Sequence, residues 1–262
     1  MNRRPAVLII AATDSSGGAG LSRDVRVLSD LGVDALCAVT AVTAQSDKAV
    51  TAVHHVPPEV IRAQIKAAFD TRPLDAIKIG MLGTQATVEA VAEALTSRRI
   101  PIIIDPVLVS SSGGILLDEG GRAALLQKLF PTATLITPNV LEVAALLGEA
   151  VATDEVALLE QGRRLLDFGS QAILLKGGHS AGAEAVDLLI SRESVDRLAA
   201  PRIEASSRGT GCALASAVAA ELAGGKTLLE ACTAAKRYVL DMLTPDSKSV
   251  RGNDNADPVS PV

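Results

Sequence analysis

Aromatic residues are almost missing from this chain of 262 residues: there is no tryptophan, one tyrosine and three phenylalanines, 2% in all. A nucleic-acid-binding surface built on base stacking is therefore not available. A formal net charge of −5 without a long basic run also argues against nucleic-acid or anionic-membrane partners. Cysteine is scarce too. Cys37, Cys212 and Cys232 lie far apart with no CxxC pair, so neither a disulfide framework nor a zinc cluster is suggested, and a reducing cytoplasm fits best. The apolar run Ala6 to Ala12 is too short to span a membrane and leads into a glycine-rich turn rather than a signal-cleavage site.

What the chain has is aliphatic and small. Hydrophobic residues make up 48% of it, enough for a large core of stacked helix and sheet layers. Short apolar runs at Ala6 to Ala12, Asp34 to Thr43, Ala76 to Ile79, Ile100 to Ile104, Leu135 to Ile136 and Ile173 to Leu175 are separated by amphipathic helical stretches. That is the rhythm of an α/β fold whose parallel sheet is covered on both faces. The run AVTAV reads as one buried strand with its flanks, and Pro57-Pro58-Glu59 opens a helix with proline in the first turn. Two consecutive helices, Gly209 to Gly224 and Thr227 to Leu243, close a single domain over residues 1–244. The tail 245–262 lacks apolar periodicity and reads as disordered.

The segment Ser206 to Leu222 carries the clearest chemistry. A glycine-spaced turn at Gly209, Thr210 and Gly211 runs into a helix of small residues, exposing unpaired N–H groups suited to an anion. Cys212 in the first helical turn is a candidate base, since the dipole favours its thiolate; the alternative is a small packed hydrophobe. Ligands of parallel sheets bind beyond the carboxyl ends of the strands. Those ends carry Asp14, Thr43 and Gln45, Lys78 and Met81, Asp105, Asn139, and Lys176 with His179. Asn139 and Glu142, three apart at a helix start, join Asp105 as candidate ligands of a hydrated magnesium ion; alternatively they form a capping box. Lys176 is either a point charge for phosphates or a solvated lysine. The near-Walker stretch Ala220 to Thr227 lacks the first glycine and follows a helix, so it reads as a helix stop. A Cys212–His179 thiol hydrolase has no supporting sequence context.

Taken together, DSSGGAG at Asp14 to Gly20, AVTAQ ending at Gln45, KIGML from Lys78, IDPV at Ile104 to Val107, TPNVLE at Thr137 to Glu142, LKGGH from Leu175, VDLL from Val186, APRIE from Ala200 and GTGC at Gly209 to Cys212 resemble hydroxymethylpyrimidine/phosphomethylpyrimidine kinases. The resemblance covers roughly Ala6 to Leu243. It implies a ribokinase-like three-layer α/β/α sandwich with a mostly parallel sheet. It also implies a homodimer that uses ATP and magnesium to phosphorylate 4-amino-5-hydroxymethyl-2-methylpyrimidine and then its monophosphate in thiamine biosynthesis.

By the same resemblance, Gln45 bonds the aminopyrimidine, with Asp24, Met81 and Val107 lining its pocket. Asp105, Asn139 and Glu142 correspond to metal and phosphate positions, Lys176 to the nucleotide-phosphate lysine, and Gly209 to Cys212 to an anion hole with Cys212 as base. Arg208, where the family usually has histidine, is expected to face the nucleotide phosphates or else solvent. Ala12-Thr13, Ser22 and Ser46 also depart from the usual pattern. The alternatives are a pyridoxine or pyridoxal kinase and a catalytically weakened pyrimidine-binding sensor.

Overall fold

The computed structural model of the chain describes residues 3–96, 98–110, 113–177, 183–203 and 208–244. Strand β1 (Ala6–Ala11) is fully aliphatic and buried along its length. After helix α1 (Gly20–Asp30), strand β2 (Asp34–Val39) returns parallel to β1. The strand expected to continue to Thr43 breaks at Thr40, whose hydroxyl donates to the Met81 carbonyl at 2.6 Å. Strand β3 (Ala41–Gln45) instead pairs antiparallel with β4 (Val50–His55) in a separate two-stranded ribbon. Its residues alternate between buried and exposed, so AVTAV is not a doubly covered strand.

Helix α2 (Pro58–Thr71), strand β5 (Ala76–Ile79), helix α3 (Gln85–Leu95) and strand β6 (Ile102–Ile104) continue the alternation. They are followed by helix α4 (Glu119–Ala124), strand β7 (Leu135–Ile136), helices α5 (Val140–Leu147) and α6 (Glu155–Leu166), and strand β8 (Ala172–Lys176). Strands β9 (Glu184–Ser191) and β10 (Val195–Pro201) then add antiparallel to β8, an ending the apolar rhythm did not foretell. The eight-stranded order is β10-β9-β8-β7-β6-β5-β1-β2.

Alternation along β1 divides the core. Leu8 and Ile10 pack with Ile61, Ile65, Val88 and Leu165 from α2, α3 and α6. Val7 and Ile9 face the opposite layer, formed by α1, α7 (Thr210–Ala223) and α8 (Leu228–Leu243). Small side chains let α7 lie close to the sheet, and Ala213 through Ala220 are buried all round. Gly225, at φ +89°, follows the Gly224 C-cap that ends α7, and a Thr227–Glu230 capping box starts α8. The near-Walker stretch is thus the junction of two helices. Among the described residues no helix is long and apolar enough to cross a membrane. The tail 245–262 lies outside the described residues.

Candidate active site

The carboxyl ends of the parallel strands open into a cavity of about 900 Å³ that runs from Gln45, Met81 and Val107 to Asp187, Lys236 and Leu240. The sheet order explains its length. Met81 follows β5 and Val107 follows β6, whereas Asp187 belongs to β9 and Lys236 to α8. The first end is apolar, formed by Ala12, Ala41 and Met81 with Val107 and Leu116, and Gln45 adds an amide. At the second end Asp187 accepts from Gly177 N at 3.0 Å and from Lys236 Nζ at 2.7 Å.

Between the two ends lies the start of α7. Gly209 is its N-cap at φ +76°, with no side chain capping the first turn. A Cβ there would stand 2.3 Å from the Gly18 carbonyl oxygen, so the turn is seated directly on the β1–α1 loop. A Cβ on Gly211 would lie 3.1 Å from Lys176 Nζ and 3.6 Å from Asp105 Oδ2. The open N–H groups of the first turn therefore face an ammonium and a carboxylate across a space that only glycine leaves free. Ser206, Ser207 and His179 lie outside the described residues.

Lys176 ends β8 and is mostly buried. Its Nζ lies 3.0 Å from Asp105 Oδ1 and 3.8 Å from Glu142 Oε2. Burial alone would lower the Lys176 pKa, but Asp105 and Glu142 together hold it above the ordinary lysine value. Burial opposes ionisation of Asp105 as well; Lys176 and Lys78 outweigh it and keep the carboxyl below its usual range. Glu142 goes the other way, pushed up to about 7 by burial, with Lys176 opposing and Asp105 adding to the rise. Asn139 and Glu142 do form a capping box: Asn139 Oδ1 accepts from Glu142 N at 2.9 Å and Glu142 Oε2 accepts from Asn139 N at 2.8 Å. Glu142 thus serves the cap and the charge cluster at once.

This donor set fits a magnesium ion held through few protein contacts. Asp105 and Glu142 are hard carboxylates drawn to one cation, whereas the Asn139 oxygen is engaged as the helix cap. Among the described residues no three His, Cys, Asp or Glu side chains are grouped to hold an ion by themselves, so an ion bound here would need water or phosphate oxygens to complete its shell.

Three expectations are corrected. Cys212 is half-buried, and its thiol is pushed up to about 11 by burial, with Lys78 pulling it down. Desolvation thus outweighs the helix dipole that was expected to favour the thiolate. Asp24 does not line the cavity. It is fully buried in α1, where it accepts from Lys78 Nζ at 2.7 Å and from Ser216 Oγ at 2.8 Å. Arg208 does not line the cavity either. Its guanidinium bonds Asp14, Ser16, Ser46 and Asp47.

Lys78, named at a strand end from the sequence but given no role there, lines the cavity. It belongs to the strand AIKI, and the sheet is covered there by α1 and α7, so its ammonium is fully buried. Burial by itself would lower its pKa; Asp24, then Cys212 and Asp105, raise it above the ordinary lysine value. A lysine inside an otherwise aliphatic strand was the available signal.

Comparisons with known proteins show the family. The family model described as phosphomethylpyrimidine kinase matches residues 14–260. The hydroxymethylpyrimidine/phosphomethylpyrimidine kinase of Rhizobium meliloti is 42% identical over 233 residues, 88% of either chain. Among solved structures, the phosphomethylpyrimidine kinase of Clostridium difficile 630 superposes with TM-score 0.80 at 32% identity, over 92% of this chain and all of the other. The pyridoxal kinase of Staphylococcus aureus in complex with AMP-PCP and pyridoxal gives TM-score 0.84 at 28% identity, over 92% and 88% of the two chains. With a ribokinase-like three-layer fold and a family match over almost its whole length, the chain belongs to the phosphomethylpyrimidine kinase family.

Proposed function

We propose that this enzyme transfers the γ-phosphoryl group of ATP to the hydroxymethyl oxygen of 4-amino-5-hydroxymethyl-2-methylpyrimidine, and then a second one to the resulting monophosphate, in thiamine biosynthesis. The observation that carries this reading is the placement of the Gly209–Cys212 turn and Lys176 between an apolar, amide-bearing pocket and a longer arm of the same cavity. The pyrimidine ring lies against Met81 and Val107, and the Gln45 amide donates to and accepts from its aminopyrimidine edge. The nucleotide occupies the arm toward Asp187 and Lys236. At each transfer the bond from γ-phosphorus to the β,γ-bridging oxygen breaks as one to the acceptor oxygen forms. The α7 N–H groups and Lys176 are placed to hold the charge spread over the transferring group.

Magnesium, held by Asp105 and Glu142, supplies charge neutralisation for the phosphates when bound. Cys212 lines the cavity beside the anion turn, and we assign the acceptor hydroxyl's proton to it; because the thiol is protonated at neutral pH, only its minor thiolate form, which Lys78 favours against burial, accepts that proton and becomes the thiol. All three cysteines are free, which supports a reducing cytoplasmic setting. The outward valines of the ribbon, Val42 and Val53, offer apolar surface for the homodimer.

Structural likeness to pyridoxal kinases keeps one competing substrate in view. ATP turnover measured against hydroxymethylpyrimidine, its monophosphate and pyridoxal decides between them. The expected result is a higher kcat/KM for hydroxymethylpyrimidine than for pyridoxal, and Gln45→Leu should narrow the gap. A preference for pyridoxal overturns the proposal.

A further inference from the structure

The Arg208 guanidinium joins three segments that are distant in sequence. Its Nη1 donates to Ser16 Oγ at 2.9 Å, to the Ser46 carbonyl at 3.0 Å and to Asp47 Oδ1 at 2.8 Å, and its Nη2 donates to Asp14 Oδ2 at 3.1 Å. These acceptors belong to the β1–α1 loop and to the tip of the β3–β4 ribbon. Arg208 itself immediately precedes Gly209, whose φ of +76° starts the anion turn. Two nitrogens thus serve four acceptors and hold the guanidinium between the β1–α1 loop and the ribbon tip.

The contacts are unequal. Asp47 is 86% exposed, and its ion pair is screened by water. Asp14 is 2% exposed and already accepts from Ser16 N at 2.9 Å, Ser16 Oγ at 2.8 Å and Ala19 N at 2.9 Å. A carboxylate so desolvated needs a cationic partner, and Arg208 provides one.

The neighbouring bonds give this joint its consequence. Ser15 Oγ donates to the Gln45 carbonyl at 2.7 Å and accepts from Gln45 N at 2.8 Å. The next residue, Ser46, is the one whose carbonyl Arg208 holds. Gln45 is therefore fixed on one side by the β1–α1 loop and on the other by a side chain from the anion turn.

We propose that Arg208 is a positioning residue: by locking the ribbon tip to the β1–α1 loop it fixes the Gln45 amide against the substrate ring and couples ring recognition to the anion turn. The proposal rests on the reading of Gln45 as the ring-recognising residue.

Two measurements on Arg208→Ala test it, one of which does not need turnover. Hydrogen exchange of the free protein should quicken at residues 43–48 while 213–220 in α7 stays protected. With hydroxymethylpyrimidine as acceptor, the pyrimidine KM should rise about tenfold, the scale of a lost charge-assisted hydrogen bond, while the ATP KM stays within about twofold. Arg208→Lys, whose single ammonium reaches fewer acceptors, should fall between parent and alanine variant in both measurements. If the alanine variant does not fold, Arg208→Lys and Arg208→Gln carry the same comparison. Unchanged exchange at 43–48 overturns the clamp, and a raised ATP KM with an unaltered pyrimidine KM makes Arg208 a phosphate residue instead. If the parent does not phosphorylate hydroxymethylpyrimidine, the substrate reading fails, whereas faster exchange at 43–48 still supports the lock on the ribbon.

Discussion

Lys78 Nζ lies 2.7 Å from Asp24 Oδ2 with both side chains at 0% exposure, a charge pair sealed between β5 and α1. Removing one partner leaves an uncompensated buried charge, so Asp24→Leu should cost about 3–5 kcal/mol of unfolding free energy. The double variant Asp24→Leu/Lys78→Met should regain most of that stability, because an apolar pair of similar volume suits the layer. Its turnover should stay low, since the ammonium near Cys212 and Asp105 is gone. Urea unfolding and steady-state kinetics separate the two effects. A double variant with parental kcat would make the pair purely structural, and an Asp24→Leu protein within about 1 kcal/mol of the parent would remove the buried-charge argument altogether.

The Cys212 thiol, raised to about 11, holds its proton at neutral pH. Between the ordinary value near 9 and this one the folded protein binds more protons than the unfolded chain, so this thiol's contribution falls as pH rises through that window and is constant below it. Cys212→Ala should flatten that part of the stability curve by about 3 kcal/mol, the two pH units of that window at about 1.4 kcal/mol each. At pH 7.5, alkylation of Cys212 by iodoacetamide, followed by peptide mass analysis, should be slower than that of free cysteine. Turnover should drop about 10²-fold in Cys212→Ala, the lower end for a general base. Rapid alkylation at pH 7.5 would restore the low-pKa thiolate and refute the desolvation argument.

Much of the fold was legible because aliphatic runs mark buried strands by composition alone. Ala6 to Ala12 became β1, Leu135-Ile136 became β7, and the Gly224-Gly225 stop divided α7 from α8. The break at Thr40 was not legible, because AVTAV keeps the same composition while the chain leaves one sheet for another. Strands β9 and β10 escaped notice since VDLL and APRIE stood out as motifs and not as a hairpin. In the site, glycine spacing and polar strand ends pointed to the cavity edge. Partnerships across the sequence did not show: Asp24 meets Lys78 54 positions away, and Arg208 meets Asp14 194 positions away. Such contacts are fixed by which faces the layers cover, and a single sequence does not state that.

Lys176 is the cation between Asp105 and Glu142, at 3.0 and 3.8 Å. In Lys176→Met the two carboxylates face each other without it, and a divalent cation then relieves more repulsion than it does in the parent. Magnesium chloride without nucleotide should therefore raise the Tm of Lys176→Met about 2–4 °C more than that of the parent. Calorimetry with and without EDTA reads this directly. Equal shifts in both proteins would show that the ion does not bind between these carboxylates.

The two glycines of the anion turn should separate stability from catalysis. Gly209 has φ +76°, and an added Cβ would meet the Gly18 carbonyl oxygen at 2.3 Å. Both the backbone conformation and the contact resist a side chain, and the obstructing atom is main chain, so Gly209→Ala should lose about 2–4 kcal/mol of stability. Gly211 lies in the first turn of α7 without a positive φ, and the nearest atom to its Cβ position is Lys176 Nζ at 3.1 Å, the end of a flexible side chain. Here the lysine moves aside, and alanine's helix preference offsets the crowding, so stability should stay within about 1 kcal/mol of the parent. The new methyl nevertheless occupies the space between the helix N–H groups, Lys176 and Asp105 where the transferring phosphoryl group is placed. Gly211→Ala should thus fold normally yet lose at least about 10²-fold in kcat/KM for ATP, comparable to losing an oxyanion contact. Parental kinetics in Gly211→Ala would mean that the phosphoryl group does not pass between this turn and Lys176.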